Sequence, residues 1–513
     1  MATFGLLFLL ALAIRLPYFH LVPRFEDEGL EVIRALEVAR GTNVPLIGYD
    51  IYYGPLFTLI VAAFFRVVDV DLLTARAVAV VCGALTVPAT YLLGCVVGGK
   101  RVALVAALLA LTSPILVVVG SHFGWSNSLV PFLATTMLTA VYLGVTQRRW
   151  TWLALGGFLA GLTMQAHPLS VVLIAALVAW YFVYCPPAEW FKRPEVYAAA
   201  VSFAVGYAPM LWILAGRLDQ VIASAQKQSY VFGPVESGGQ YFERVLAAFG
   251  MLGITIAGVG ERLWAAFPEA PQTRQAVLLL VVLVAGCGLV LSASRRPLAS
   301  SSTVRSRSFL AVVLLLPVLL LPLFTRSLQS RYLMMLVPVA CVCIGLACAR
   351  VWEGAASARR LAAVGIVIAI LTANLVAIVR VERRALQEGE SNAAWLSLRD
   401  AVDQHSLCQD GVFIEDTDAL GLPPGDSRTW TYFNTQAVRF VLTLENCVQT
   451  VAPVGRLLDM LKARPSPAWL IIPEQSVAVF SQDLTLTRVL PLAPAPTLPA
   501  ALRLTLFRAE PRP

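Results

Sequence analysis

The sequence predicts a polytopic α-helical membrane protein of about eleven spans, followed by a C-terminal soluble α/β domain. Three observations predict it. Mean hydropathy is +0.74, and only 14% of residues are charged, where soluble domains carry about a quarter. Runs at 102–120, 276–292, 309–324 and 361–379 hold no charged residue over nearly the ~20 positions that a spanning helix needs. Beyond residue 380 such runs stop and the charge balance inverts: residues 381–513 hold 12 Lys and Arg against 15 Asp and Glu, whereas residues 1–380 hold 27 against 16. The basic excess therefore belongs to membrane loops, which points to lipid phosphates and not to nucleic acid.

Spans are expected at about 2–21, 76–97, 102–120, 128–146, 151–166, 168–184, 196–215, 275–293, 309–325, 332–349 and 361–379. The first has no basic region before it and no small-residue cleavage site after it, so it reads as a retained span and not as a signal peptide. With a cytoplasmic N-terminus, the inner loops contain Lys100 and Arg101, Arg148 and Arg149, Lys192 and Arg193, the run 295–307 and the run 350–360, all basic. The outer turns at 121–127 and near 167 contain no Lys or Arg, as the positive-inside rule requires.

The segment from Pro55 to Val68 decides the parity. It is apolar, but it holds Arg66 and is only about 14 residues long. Were it to cross, every later basic loop would lie outside. It therefore reads as a juxtamembrane helix within a long outer loop, 22–75. Residues 216–274 form a second outer loop, with 243–266 on or dipping into the membrane. An odd span count then puts residues 381–513 outside. In that domain, helices are expected at 392–405 and 453–463, and strands at 411–415, 438–444, 469–473 and 502–507. Cys408 and Cys447 are its two cysteines and can pair in an oxidising compartment. The other seven lie in or beside apolar runs without metal-ligand spacing.

Half of the acidic residues of the membrane part lie between 26 and 71. At the centre is FEDEGLEVIRALEVARG, in which Leu30, Ile33 and Leu36 recur at helical spacing and Asp27, Glu31 and Arg34 share the opposite face. An Asp-Glu pair at a helix start is ordinarily an N-cap with a first-turn acid favoured by the helix dipole. Its context weighs against that. The helix is followed by a Gly/Pro/Tyr-rich stretch, NVPLIGYDIYYGPLF, and it stands between the first span and the first basic inner loop.

With Asp27-Glu28, Gly41, Tyr53-Gly54-Pro55-Leu56, Arg76 at the next span and Ser330-Arg331-Tyr332-Leu333 with Pro338 at a late one, the chain resembles the GT-C membrane glycosyltransferases of the protein O-mannosyltransferase and aminoarabinose transferase type. The resemblance covers the membrane part (1–380) and the outer domain (381–513). It implies transfer of a sugar from a polyprenyl-phosphate donor to a hydroxyl of a lipid, glycan or protein acceptor, with inversion, at the outer face of the plasma membrane. Asp27 would be the base and Glu28 would orient the acceptor. Arg331, with Arg76, Lys227 or Arg244, would hold the phosphate, because guanidinium binds phosphate oxygens bidentately. Tyr53, His122, Trp125, Asn127, His167 and Tyr332 would line the substrate pocket. Relatives place an acid near SHFGWSN; this chain has His122 and Asn127 there, so a divalent metal stays open. A transporter or flippase of lipid-linked sugars would call for ionisable residues near mid-membrane and repeated spans, which the sequence lacks. An O-antigen ligase or polymerase would place its key residues in a large late outer loop.

Overall fold

The protein is described here by a computed structural model over residues 2–512, apart from 18, 21–25, 43–46, 49–52, 69–72, 190, 228–236, 259–300, 326–328, 355–356, 388–389, 416–434, 445–446 and 493–503. The expected span at 275–293 and most of the basic run 295–307 lie outside the described residues.

The membrane body consists of α1 (Ala2–Arg15), α2 (Glu26–Ala39), α3 (Leu56–Val67), α4 (Thr74–Gly98), α5 (Lys100–Leu111), α6 (Pro114–Val118), α7 (Val130–Gln147), α8 (Trp150–Ala166), α9 (Val171–Tyr184), α10 (Pro194–Gly206), α11 (Ala208–Lys227), α12 (Gly238–Ala257), α13 (Ser301–Phe324), α14 (Val337–Gly354) and α15 (Ser357–Gln387). Among the described residues, five helical segments are long and apolar enough to cross a membrane: 74–98, 126–147, 306–324, 330–350 and 364–383. A bent pair, α10 with α11, makes a sixth if it counts as one span.

Two expected spans are broken. The run 102–120 stops at Leu111 and resumes at Pro114, and the run 196–215 turns by 71° between α10 and α11. Proline explains both. Pro114 and Pro209 have no backbone N–H, and their rings clash with the carbonyl four residues earlier, so each is accommodated in the first turn of a new helix. The carbonyl of Gly206, exposed by the second break, accepts a hydrogen bond from Gln165 Nε2.

Helix α3 has 12 residues, about 18 Å of rise, against a hydrocarbon core of about 30 Å. Phe57, Val61, Ala62 and Phe65 are buried along one face, while Leu59, Phe64 and Val67 are exposed on the other. It packs against α2, and Arg66 donates to the carbonyls of Val38 (3.0 Å) and Ala39 (3.4 Å). A cation there satisfies carbonyls at the negative end of the α2 dipole.

The C-terminal domain holds a five-stranded sheet in the order β2-β1-β3-β5-β4, formed by β1 (Val412–Glu415), β2 (Gln449–Ala452), β3 (Ala468–Pro473), β4 (Leu484–Pro491) and β5 (Leu504–Pro511). Strand β1 runs parallel to β2 and β3, and β5 pairs antiparallel with β3 and β4. Alternation along the strands divides the core. Phe413, Leu470, Ile472 and Phe507 pack with Leu457 and Leu461 of α18 (Val454–Lys462), while Ile414, Trp469, Ile471 and Leu506 join an apolar core continuous with the membrane body. Helix α16 (Glu390–His405) lies where expected. Burial pushes the Glu415 carboxyl, at the end of β1, up to about 7, opposed by a hydrogen bond from Ser476 Oγ at 2.8 Å.

The segment 438–444 is a correction. It belongs to a helix, α17 (Thr435–Leu444), and not to a strand. Val438, Val441 and Leu442 are buried at helical spacing, and α17 packs on α2, where Arg40 donates to the carbonyl of Thr443 at 3.3 Å. Cys408 and Cys447 are joined in a disulfide, Cα atoms 4.3 Å apart, and the Cys447 amide donates to the carbonyl of Leu442 at 2.8 Å. The end of α17 is thereby held to the segment before β1. Both cysteines should resist alkylation in the native protein and react after reduction; mass spectrometry showing label at either without reductant would contradict the pairing.

Candidate active site

Helix α2 carries the site's polar framework on its inward face. Glu28, Glu31, Val32, Ala35 and Leu36 are all buried, a stripe at i, i+3, i+4, i+7 and i+8. Glu31, expected on the outer face with Asp27, is turned inward, because it has a backbone partner to satisfy. Its carboxylate accepts from Ser126 N at 2.9 Å. Glu28 Oε1 accepts from Arg76 Nε at 2.6 Å and from Gly124 N at 3.0 Å, and Oε2 accepts from Arg76 Nη2 at 2.9 Å. Arg76 also donates from Nη1 to the carbonyl of Phe19 at 2.7 Å.

Glu28 and Arg76 are both fully buried in a bidentate ion pair, and the Arg76 guanidinium also bonds the Phe19 carbonyl. Gly124 has no room for a side chain: a Cβ would come within 2.7 Å of Ala75 Cβ and 3.0 Å of Arg76 N. Asp27 lies in the first turn of α2, and its side chain is outside the described residues.

A second cluster gathers around Arg331, in the short helical turn Ser330–Leu333 that precedes α14. The guanidinium carbon lies 5.3 Å from the centre of the Trp125 ring and 5.4 Å from that of Tyr332, close enough for cation–π attraction. The His167 ring is 5.2 Å from Tyr332 and 5.5 Å, edge-on, from Tyr53. Tyr53, Trp125, His167, Arg331 and Tyr332 thus come together from four separate parts of the chain. The Tyr53 loop is docked by Gly54, whose amide donates to Gln165 O at 3.0 Å. A Cβ on Gly54 would sit 2.5 Å from Gln165 Cβ.

His167 caps a short 3-10 turn at Pro168–Ser170, accepting at Nδ1 from Leu169 N at 3.2 Å. That bond assigns the neutral ring's proton to Nε2, which donates to Tyr53 Oη at 3.4 Å. Burial, helped by the charge of Arg331, lowers the His167 imidazole to about 3. His122 is separate from this cluster in its bonding. Its Nε2 donates to the Arg15 carbonyl at 2.9 Å, and Arg15 Nε donates to Ser121 Oγ at 3.0 Å. Burial first, then the charges of Arg76 and Arg15, lower His122 to about 3, against a raising contribution from the Arg15 carbonyl. His122 therefore fastens the segment between α6 and α7 to the end of α1.

Asn127 is buried in the 3-10 turn Ser126–Leu129. Arg244, on α12, donates to the Pro322 carbonyl at 3.2 Å, which makes it a cap for the C-terminal end of α13. The Lys227 side chain lies outside the described residues. No group of three or more His, Cys, Asp or Glu converges as a metal site among the described residues. Glu31 and Gln165 were not foreseen. The signal for Glu31 was its i+3 spacing from Glu28; Gln165 had none, since it acts through the backbone of distant segments.

The chain is similar to known proteins in sequence over part of its length and in fold over nearly all of it. Residues 53–213 match the family described as dolichyl-phosphate-mannose-protein mannosyltransferase. Among solved structures, ArnT from Cupriavidus metallidurans in the apo state superposes with a TM-score of 0.59 at 14% identity, covering 99% of this chain and 98% of that one. The same protein bound to undecaprenyl phosphate gives 0.57 at 14%, covering 98% and 97%. The Archaeoglobus fulgidus oligosaccharyltransferase in complex with Zn and sulfate gives 0.50 at 10%, covering 96% and 72%. At these identities the likeness is one of fold. No curated protein matches the chain by sequence.

Glu28→Ala should destabilise the protein by about 3–5 kcal/mol, since it strands the buried Arg76 charge, and Glu28→Leu combined with Arg76→Met should recover most of the loss. Thermal unfolding in detergent measures both; a double-variant loss equal to the sum of the Glu28→Leu and Arg76→Met losses would show that the pair is not coupled. The two histidines set an acid limb. Unfolded imidazoles protonate near 6.5, and the folded ones only near 3. Their contribution is full above pH 6.5 and falls as pH drops towards 3, because the unfolded state binds more protons in that window. His167→Asn should flatten that slope in a series of melting curves from pH 7 to pH 4.

Proposed function

We propose that the protein transfers a sugar from a polyprenyl-phosphate donor to an acceptor hydroxyl at the outer face of the plasma membrane. The observation that carries this reading is the arginine held among aromatic rings at the start of a late apolar helix, Arg331 against Trp125 and Tyr332. A permanent cation at that depth suits a lipid phosphate, and the rings beside it offer apolar faces to a sugar. The family match over 53–213 and the undecaprenyl phosphate bound to the ArnT of similar fold support a lipid-phosphate donor. The positive-inside pattern of the loops supports a cytoplasmic N-terminus and an extracytoplasmic C-terminal domain.

In the proposed reaction the acceptor oxygen attacks the anomeric carbon as the bond from that carbon to the phosphate oxygen breaks. The acceptor proton passes to the Asp27 carboxylate. The electron pair leaves with the polyprenyl phosphate, whose developing charge Arg331 stabilises. A single displacement inverts the anomeric centre. His167, neutral at any working pH, orients Tyr53 and takes no part in proton transfer. The acceptor is a hydroxyl of a lipid, glycan or protein.

Asp27→Asn should abolish transfer from a labelled polyprenyl-phosphate sugar while leaving the melting temperature unchanged; a folded variant with full activity refutes the base assignment. Arg331→Ala should raise the donor KM or remove turnover, and unchanged donor kinetics would place the phosphate elsewhere.

A further inference from the structure

We propose that Glu31 is a positioning residue: with Glu28 it fixes the backbone on either side of Trp125, so that the helix bearing Asp27 also sets the place of Arg331. This rests on the donor-phosphate reading of Arg331.

The argument begins with spacing. Glu28 and Glu31 are one turn apart on α2, so their carboxylates project from one face with Cβ atoms about 5–6 Å apart. Gly124 and Ser126 are two residues apart around Trp125, whose backbone is extended at φ −136° and ψ 163°. In extended chain the amides of residues i and i+2 point to the same side, about 6.8 Å apart. The two repeats match within the reach of a glutamate side chain, and the bonds observed are Glu28 to Gly124 N at 3.0 Å and Glu31 to Ser126 N at 2.9 Å. Trp125 between them is buried, tilted against Phe123 at 5.3 Å, and its ring lies 5.3 Å from the Arg331 guanidinium.

The connection is direct. Two hydrogen bonds from one helix fix three successive residues, and the middle one supplies the platform for the cation. Ser126 is also the first residue of the 3-10 turn Ser126–Leu129, and Glu31 serves as that turn's cap from outside, because Trp125, at the N-cap position, has no side-chain oxygen to do so. A carboxylate that only filled space would not need an aligned amide. Here each amide flanking the platform has its own acceptor on the same helix.

The test uses the full-length protein in detergent, with undecaprenyl phosphate as the probe and its Kd as the readout. Glu31→Ala should weaken binding about tenfold, whereas Glu31→Gln, whose amide oxygen can accept the same bond, should stay within about twofold of the wild type. Trp125→Leu should weaken binding similarly, and Glu31→Ala combined with Trp125→Leu should be no weaker than Trp125→Leu alone, since both act through one platform. Ser126→Pro removes the N–H at a position where the helix tolerates proline, and should reproduce the loss if Glu31→Ala does not fold. Wild-type Kd in folded Glu31→Ala or Ser126→Pro, or fully additive losses, overturns the positioning role. Wild-type protein that does not bind undecaprenyl phosphate overturns the donor reading itself.

Discussion

The buried pair of Glu28 and Arg76 is the contact on which this end of the membrane body depends. Separate charges so deep would each cost several kcal/mol in lost solvation, so neither residue is tolerable without the other. Their joint geometry fixes the start of α2 against the start of α4, and the spare valences of the pair reach the Phe19 carbonyl and the Gly124 amide. One ion pair therefore determines where the chain goes after the first helix, where α2 lies, and where the segment before α7 turns. Such a pair adds little net stability over an apolar substitute, and its contribution is to specify one arrangement.

The rest of the site is arranged around that pair. The carboxylates that α2 buries hold backbone, and Arg331, proposed as the donor-phosphate cation, comes from the turn before α14 with aromatic rings beside it. Among the described acids of α2, Glu28 and Glu31 bond backbone amides and a guanidinium, while Glu37 pairs with Arg34. The two buried histidines belong to the scaffold too: His167 spends both ring nitrogens on backbone and tyrosine, and His122 its Nε2 on the Arg15 carbonyl.

The membrane class and strands β1, β3 and β5 were legible in the sequence, because hydropathy, length and alternation are local properties; β2 and β4 were not foreseen. The breaks near Pro114 and at Gly206 were also written there, in prolines that a window of hydropathy averages away. The segment 438–444 misled because Val438, Val441 and Thr443 give it a β-branched composition, while its inward residues follow a helical period; packing on α2 decides in favour of the period. The roles of Glu28 and Arg76 were illegible for a different reason. They lie 48 positions apart, and nothing in either neighbourhood announces the other. The aromatic cluster was partly legible, since five of its members had been singled out, though no local pattern said that they meet.

The contact between α2 and α17 has a consequence for biosynthesis. Arg40 and Thr443 stand 403 positions apart, so α2 leaves the ribosome long before the surface on which it rests. A chain interrupted before residue 435 could insert its apolar helices and still lack the support for α2. Completion of this end of the protein is thus tied to arrival of the C-terminal domain, and a partially synthesised copy would hold its spans without it.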